Sequence, residues 1–539
     1  MLDGCVPWPP TLAQSYRDRG YWRGVTLGTV LRSAAARFGD RTVLVHGRRR
    51  VSYTELDAWV DRLATGFARC GIKADERVVI QLPNVPDFVA IAFALFRLGA
   101  KPVFALAAHR ASEIKHLCEL SGATAYVVPD AYRGFDHLAL ARQIRDEVES
   151  LRSVFVLGEP TEDVIPLSDL DGAPAELPDP DPTDVAFFLL SGGTTALPKL
   201  IPRTHDDYIY QSLLAAEVCE LATQDVYLAA LPIGFNFSWG CPGVLGTLQT
   251  GGTVALADSP NPGDCFPLVE RERVTVTSLV PSITQIWLEV AEWTESDLSS
   301  LRLVQVGGAR MALDVVSRIE PTLGCKLQQV FGMAEGLLTF SRLDDPPESV
   351  LHTQGKPISP ADELKILDER GMELPVGAVG ELVTRGPYTV RGYYQAPEHN
   401  RRAFTEDGFY RTGDLASLTD NGELVIEGRI KDMVIRGGDK ISAGEVENHL
   451  LAHPAVAAVA VVGVADDFLG ERICAYVIAR GQPPTLTELR EAMQRRGVAE
   501  YKLPDRIELV DSLPVTPLGK IDKKALARLT VPIAAPQRG

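Results

Sequence analysis

Short apolar runs alternate with longer amphipathic segments over most of the chain. The runs at 77–82, 125–128, Ser153–Leu157, Val185–Leu190, 252–256, 274–280 and 303–306 predict buried strands. The apolar stretch 88–98, behind Pro86 and Asp87, predicts a helix. A second helix is expected to begin near Ser282 and to carry both Trp287 and Trp293. Strand–helix alternation of this kind predicts α/β layering with largely parallel sheets. After about residue 350 the pattern changes. The runs 380–384 and 424–426, with Gly and Pro between them, predict a smaller β-rich module. Beyond Gly428 the order is helix Ala443–Leu451, strands 456–462 and 473–478, helix 486–496 and strand 506–510, an α+β unit. A boundary is therefore expected near Arg429, Ile430 and Lys431. The Pro-rich stretches at 176–182 and 346–347 are too short to link independent domains, and no repeat or low-complexity tract is found.

Composition narrows the class. The 539 residues include 54 basic and 71 acidic side chains, a net charge of −17, with 45% hydrophobic and 23% charged residues. That balance excludes bulk disorder, and the length corresponds to roughly three to four domains' worth of chain. The acidic sign argues against nucleic-acid binding and against adsorption on anionic membranes. The longest apolar run, 88–96, is far shorter than the ~18–20 residues that cross a bilayer. The N-terminus has no basic region or apolar core of a secretion signal. Cys5, Cys70, Cys118, Cys219, Cys241, Cys265, Cys325 and Cys474 are scattered singly with no CxxC pair. Reduced thiols in a cytoplasmic protein are expected.

Five stretches could carry chemistry. Ser191, Gly192, Gly193, Thr194, Thr195 and Lys199 follow a buried strand directly. Paired glycines, hydroxyls and an ammonium there could cradle polyphosphate or form an ordinary turn; the spacing is not that of the P-loop. Glu335, after Gly332, Met333 and Ala334, could be a magnesium ligand or part of a solvated helix face. Asp414, after a tight turn, could bind a ribose diol or cap that turn. The charges of 427–440 could belong to a solvated hairpin. Lys520 follows a glycine in an expected loop. No GxGxxG follows the first strands, so a Rossmann dehydrogenase lacks support.

In this order and spacing, the motifs at 191–199, 330–335, 410–414, 428–440 and 514–520 resemble those of the adenylate-forming (ANL) superfamily of acyl-CoA synthetases, luciferases and nonribosomal-peptide adenylation domains. The stretches 93–100, 200–209, 327–336, 387–394 and 445–454 are similar to stand-alone aryl-acid adenylating enzymes of the 2,3-dihydroxybenzoate–AMP and salicylate–AMP ligase type. The resemblance implies a large N-terminal region of two α/β subdomains plus a small β-barrel-like module, with a small mobile α+β C-terminal domain. Residues 1–430 would form the adenylation core that binds ATP and aryl acid, and 431–539 the mobile domain with the catalytic lysine.

The resemblance also implies roles. Ser191 to Lys199 would wrap the β- and γ-phosphates, Glu335 would hold Mg²⁺, Asp414 would accept the ribose hydroxyls, and Arg429 would support the ribose and phosphate end. Gly308, Ala309, Arg310, Val330, Phe331, Gly332, Met333 and Ile426 would complete the ATP site. Gly307, Gly308, Asn236, Phe237, Cys241, Val330 and Leu338 would line the aryl-acid slot. Lys520 would bridge the acyl carboxylate and the α-phosphate as a cation, not as a base. Lys431 stands at the family's hinge position, and Arg436, Gly437 and Gly438 would flank a pantetheine tunnel.

The acid itself is read from residues 231–243. The subgroup usually carries His-Asn and an aromatic there; Asn236 and Phe237 match, and Phe235 replaces the His. Asn236 favours a 2-hydroxy or 2-amino aryl acid over an amino acid, for which relatives use an Asp. Cys241 and Leu338 stand where dihydroxybenzoate enzymes tend to have Ser and Val, which pushes toward salicylate. 6-Methylsalicylate, anthranilate, 3-hydroxyanthranilate and 2,3-dihydroxybenzoate remain alternatives. Ala196 replaces a phosphate-loop Gly and Asp439 a Glu, and neither change removes a catalytic charge. With 539 − 520 = 19 residues after Lys520, the thiol acceptor is expected in trans: a phosphopantetheinylated aryl carrier protein for siderophore or antibiotic assembly, or alternatively CoA. The chain would be a monomer or homodimer.

Overall fold

A computed structural model of the protein describes residues 1–159, 161–170, 172–175, 177–191, 197–311, 313–436, 439–466, 469–516 and 520–529. Its parallel strands are largely buried, as strands of a sheet covered on both faces are. Lys101–Phe104, Ala125–Pro129 and Leu303–Gly307 are buried at every position. Among the described residues the strands form sheets of nine, seven, four and five strands, plus one two-stranded ribbon.

The nine-stranded sheet centres on Val226–Ala229, Thr253–Leu256, Val276–Leu279, Leu303–Gly307 and Lys326–Met333, all parallel, with antiparallel strands at both edges. The seven-stranded sheet runs Leu200–Thr204, Val185–Leu190, Lys101–Phe104, Arg77–Ile80, Ala125–Pro129, Ser153–Leu157 and Ile165–Pro166, with its first pair antiparallel and the rest parallel.

Helix Pro86–Leu98 joins these layers. It touches Thr42–His46 of the first sheet and Lys101–Phe104 of the second, and Phe88 to Phe96 are at most 1% exposed. An all-round apolar helix has to be buried in this way. Each fully buried Phe or Leu contributes about 1.5–3 kcal/mol. Arg97, at the buried end of the helix, is held by Asp57 and by Asp61 at 2.6 Å.

Glu363–Leu367, Gly380–Arg385, Tyr410–Leu418 and Leu424–Arg429 form an antiparallel meander. A single 3-10 turn, Ile430–Asp432, passes from that meander into the hairpin Met433–Arg436 and Asp439–Ser442 of the last sheet. Around that sheet lies a separate core of Val434, Ile441, Val446, Leu450, Val461, Val477, Leu489 and Met493.

Two expectations change. The helix containing Trp287 is Pro281–Ala291, so Trp293 lies beyond it and is 72% exposed. At about 100° per residue, the 293 − 287 = 6 positions between them would have turned Trp293 off the buried face in any case. The stretch before Glu335 is no helix either: it is strand Lys326–Met333, which turns tightly into Gly336–Phe340.

Candidate active site

Open α/β sheets place ligands beyond the carboxyl ends of their strands, and the candidate residues gather there. Gly307 and Gly308 end strand Leu303–Gly307, and Ser191 follows Val185–Leu190. Ser191 N–H donates to the Lys199 carbonyl at 3.0 Å, and Lys199 N–H donates to Ser191 Oγ at 3.0 Å. This pair closes the neck of the loop. Gly192, Gly193, Thr194, Thr195 and Ala196 lie outside the described residues, as do Gly437 and Gly438.

The four-stranded meander supplies one charged pair. Asp414 and Arg429 face each other across antiparallel strands, with Arg429 Nε 2.9 Å from Asp414 Oδ1. Asp414 is 4% exposed. Burial pushes its carboxyl pKa up, while Arg429 and Lys520 pull it back; Asp414 in turn holds the Arg429 guanidinium above its ordinary value. Arg310 Nη1 donates to the Ile426 carbonyl at 2.9 Å and pairs with Glu427 at 3.2 Å, tying the loop after Gly308 to the same strand.

Lys520 arrives from the C-terminal unit. Thr516 N–H donates to the Lys520 carbonyl at 2.7 Å, and Lys520 N–H donates to Thr516 Oγ1 at 3.2 Å. Its side chain lies over Gly308, whose φ is +91°: a Cβ there would stand 3.3 Å from Lys520 Cε. The backbone conformation favours glycine, and its missing Cβ leaves the lysine stem room to lie close. Burial, followed by Arg429, lowers the Lys520 ammonium to about 8, against the opposing pull of Asp414 and Glu335. Burial also lowers Lys431.

Glu335 sits in the tight turn, 7% exposed. Gly336, φ +140°, lets that turn press on Thr389, whose Cα would be 2.4 Å from an added Cβ. The Tyr393 hydroxyl donates to Glu335 Oε1 at 2.7 Å and lies 2.9 Å from the Tyr410 hydroxyl. Burial pushes the Glu335 carboxyl up, and the Tyr393 bond opposes it. The Lys199 ammonium stands 5.5 Å from the Tyr393 ring centre. Among the described residues no group of three or more His, Cys, Asp or Glu could cage a metal. A single buried carboxylate fits Mg²⁺, which takes one or two carboxylates and completes its shell with phosphate oxygens and water.

The residues expected to meet the acid surround Asn236, whose hydrogen-bond partners among the described residues are neutral. Asn236 opens helix Asn236–Gly240 and is buried. Its Oδ1 accepts from the Tyr208 hydroxyl at 2.8 Å and Gln211 Nε2 at 3.4 Å; its Nδ2 donates to Cys241 Sγ and the Met333 carbonyl, both at 3.4 Å. The Phe237 ring lies against Gly307, beside buried Val330, and Leu338 presses on Gly332. Burial raises the Cys241 thiol to about 12, so it is an inert packing group.

Arg436 forms a two-pronged pair with Asp505 inside its own unit, at 2.8 and 3.0 Å.

Sequence reasoning assigned no role to Arg203, Tyr208, Gln211, Tyr393 or Tyr410. Arg203 is wholly buried and donates to Asp207, Gln211 Oε1, and the Ala334 and Tyr388 carbonyls. One signal was available. Thr204 and Asp207 form a capping box for helix His205–Val218, which fixes the face bearing Tyr208 and Gln211.

Known proteins resemble the chain over nearly its whole length. The family model for the AMP-binding enzyme matches residues 31–394, and that for the AMP-binding enzyme C-terminal domain matches 445–520. The chain is 53% identical over 526 residues to a 2,3-dihydroxybenzoate-AMP ligase of Bacillus subtilis, covering 98% of this chain and 97% of that one. It is 46% identical over 534 residues to the salicyl-AMP ligase / salicyl-S-ArCP synthetase of Mycobacterium tuberculosis, covering 98% and 94%. Among solved structures, apo MbtA of Mycobacterium smegmatis superposes with a TM-score of 0.76 at 44% identity, covering 98% and 99%.

Proposed function

The chain belongs to the AMP-binding enzyme family, and from that premise we propose that it joins an ortho-substituted aryl acid, salicylate above the others, to ATP. The acid carboxylate attacks the α-phosphorus; an O–P bond forms, the bond to the β-phosphate oxygen breaks, and aryl-AMP and pyrophosphate result. A thiol then attacks the acyl carbon and AMP leaves. The first step brings an anion to a polyanion, so placed positive charge and fixed geometry supply the catalysis.

Lys520 bridges the acyl carboxylate and the α-phosphate. Asp414 accepts the ribose hydroxyls, Arg429 supports the ribose and phosphate end, and Ser191 and Lys199 hold the departing phosphates. Glu335 holds Mg²⁺, which supplies charge neutralisation on the phosphates. Phe331, Met333 and Ala309 line the adenine side. For the second step the unit beginning at Lys431 rotates about that residue, withdraws Lys520 and brings the Arg436 segment to the pantetheine. The acceptor is a phosphopantetheinylated carrier protein, the product a siderophore or antibiotic precursor, and the compartment the cytoplasm. Among the described residues no helix is long and apolar enough to cross a membrane.

The observation that carries the substrate reading is the buried, neutral Asn236 beside Cys241. An amino acid would need a counter-charge there. ATP–pyrophosphate exchange tests it across salicylate, 2,3-dihydroxybenzoate, 6-methylsalicylate, anthranilate, 3-hydroxyanthranilate and benzoate. Salicylate is expected to exceed 2,3-dihydroxybenzoate, and the reverse order removes the argument from Cys241 and Leu338. Rates with holo-carrier protein against CoA identify the acceptor.

A further inference from the structure

Asn236 can present either end of its amide to a ligand, and the two ends recognise opposite chemistry. The residues behind it decide which end. Arg203 has only donors, and its Nη2 lies 2.9 Å from Gln211 Oε1. A turned-over Gln211 would set its own NH2 against the guanidinium. Gln211 Nε2 therefore faces the other way, toward the Gly240 carbonyl at 3.3 Å, Cys241 Sγ at 3.6 Å and Asn236 Oδ1 at 3.4 Å. The Tyr208 hydroxyl, whose pKa burial drives far up so that it keeps its proton, donates to the same Asn236 oxygen at 2.8 Å. Asn236 Nδ2 faces the Met333 carbonyl, but at 3.4 Å that contact is too long to set the direction by itself. The donor-only guanidinium, acting through Gln211, fixes which end of the Asn236 amide is held.

We infer that Arg203 and Gln211 are positioning residues that set the polarity of the aryl-acid pocket. They hold the Asn236 oxygen and leave its NH2 to the ligand, so the pocket selects an aryl acid whose ortho atom offers a lone pair and rejects an ortho amino group. This rests on the aryl-acid reading above, in which Asn236 meets the ortho substituent. A phenol can donate its proton to its own carboxylate and still accept from Asn236 through oxygen. An aza-ring nitrogen ortho to the carboxylate also accepts, from one bond closer to the ring. An aniline nitrogen, its lone pair drawn into the ring, brings N–H against N–H. The contacts of Nδ2 to Cys241 and Met333, both 3.4 Å, are long enough for a ligand oxygen to replace them.

The test is kcat/KM in ATP–pyrophosphate exchange with salicylate, picolinate, anthranilate and benzoate. In the unmodified enzyme salicylate is expected to exceed anthranilate by at least about tenfold, since a site built for one polarity leaves the other unpaired. Picolinate is expected to exceed benzoate. Gln211→Glu keeps an acceptor toward Arg203 but turns a second acceptor toward Asn236. It should turn the amide over and lower the salicylate-to-anthranilate ratio by about tenfold or more. Gln211→Met, which removes the director at similar volume, should bring the ratio toward one. General damage to the fold lowers all rates together and leaves the ratio in place. An unmodified enzyme that uses anthranilate as well as salicylate overturns the inference, as does an unchanged ratio in folded Gln211→Glu. Exchange with none of the four acids, nor with 2,3-dihydroxybenzoate or 6-methylsalicylate, overturns the aryl-acid reading as well, whereas brisk exchange with an unmoved ratio overturns the polarity relay alone.

Discussion

Asn236, the proposed reader of the aryl acid, takes neutral hydrogen bonds from Tyr208 and Gln211, whereas the proposed nucleotide end gathers Asp414, Arg429, Glu335 and Lys520. Their assembly differs too. Tyr208, Gln211, Asn236 and Cys241 come from two helices and the short turn after the second. The charged group draws on the nine-stranded sheet, the meander and the C-terminal unit. A neutral hydrogen bond contributes about 0.5–1.5 kcal/mol net, so each one changes preference by less than roughly 15-fold. A placed charge in a dry site does far more for a transition state. The charged end should therefore set the rate and the neutral end the choice of acid. In a chain of net charge −17, the positive field at an anionic ligand comes from a few placed groups.

Removing Lys520 tests this division most severely. Lys520→Ala should lower aryl-AMP formation by about 10²–10³-fold or more, the scale seen when a preorganised stabilising group is lost. Thiolation of pre-formed aryl-AMP, followed in a single turnover, should survive. Equal loss of both half-reactions would mean that the lysine holds the structure together instead. Glu335→Gln comes next. It should raise the Mg²⁺ concentration for half-maximal exchange by roughly 10–100-fold and leave the ranking of acids intact. A changed ranking would merge the two ends into one.

The acid–base behaviour of Lys520 gives a milder test. Its ammonium is the working form and its pKa is lowered to about 8. Below that pH it is charged; above it the charge is lost, so kcat/KM for ATP should fall about tenfold per pH unit beyond 8, where an ordinary lysine would hold to about 10.5. The limb in kcat should lie higher, because bound phosphates favour the charged form. Coincident limbs would show that ATP never meets this lysine.

Strand periodicity made the layered fold legible from sequence, because each buried strand, such as Val185–Leu190, is apolar whatever its neighbours are. The charged residues were legible as motifs, each beside a glycine or tight turn. What sequence could not display is the meeting of Lys520 with Gly308, which depends on how the last unit sits on the core. Nor could it display the role of Arg203, whose donors meet Ala334, Tyr388 and Gln211 only once the fold has closed around them. Trp293 failed for the opposite reason: hydrophobicity alone placed it in a helix that ends before it.

The smallest effect lies in the pocket wall. Cys241 is 1% exposed, with Sγ 3.4 Å from Asn236 Nδ2. As a weak donor it offers little to a 3-hydroxyl, and Leu338, buried against Gly332, occupies neighbouring space. Cys241→Ser supplies one neutral hydrogen bond, so the kcat/KM ratio of 2,3-dihydroxybenzoate to salicylate should rise roughly 2–10-fold. Leu338→Val in the same chain should add to it, since it gives the hydroxyl room that the serine alone does not. The rate with salicylate should change little, because none of the charged groups has moved. A ratio that stays fixed in both variants would place the 3-position reader elsewhere in the pocket. A fall in rate of the Lys520→Ala size would show that the neutral wall also shapes the charged end, and the division between rate and choice would fail.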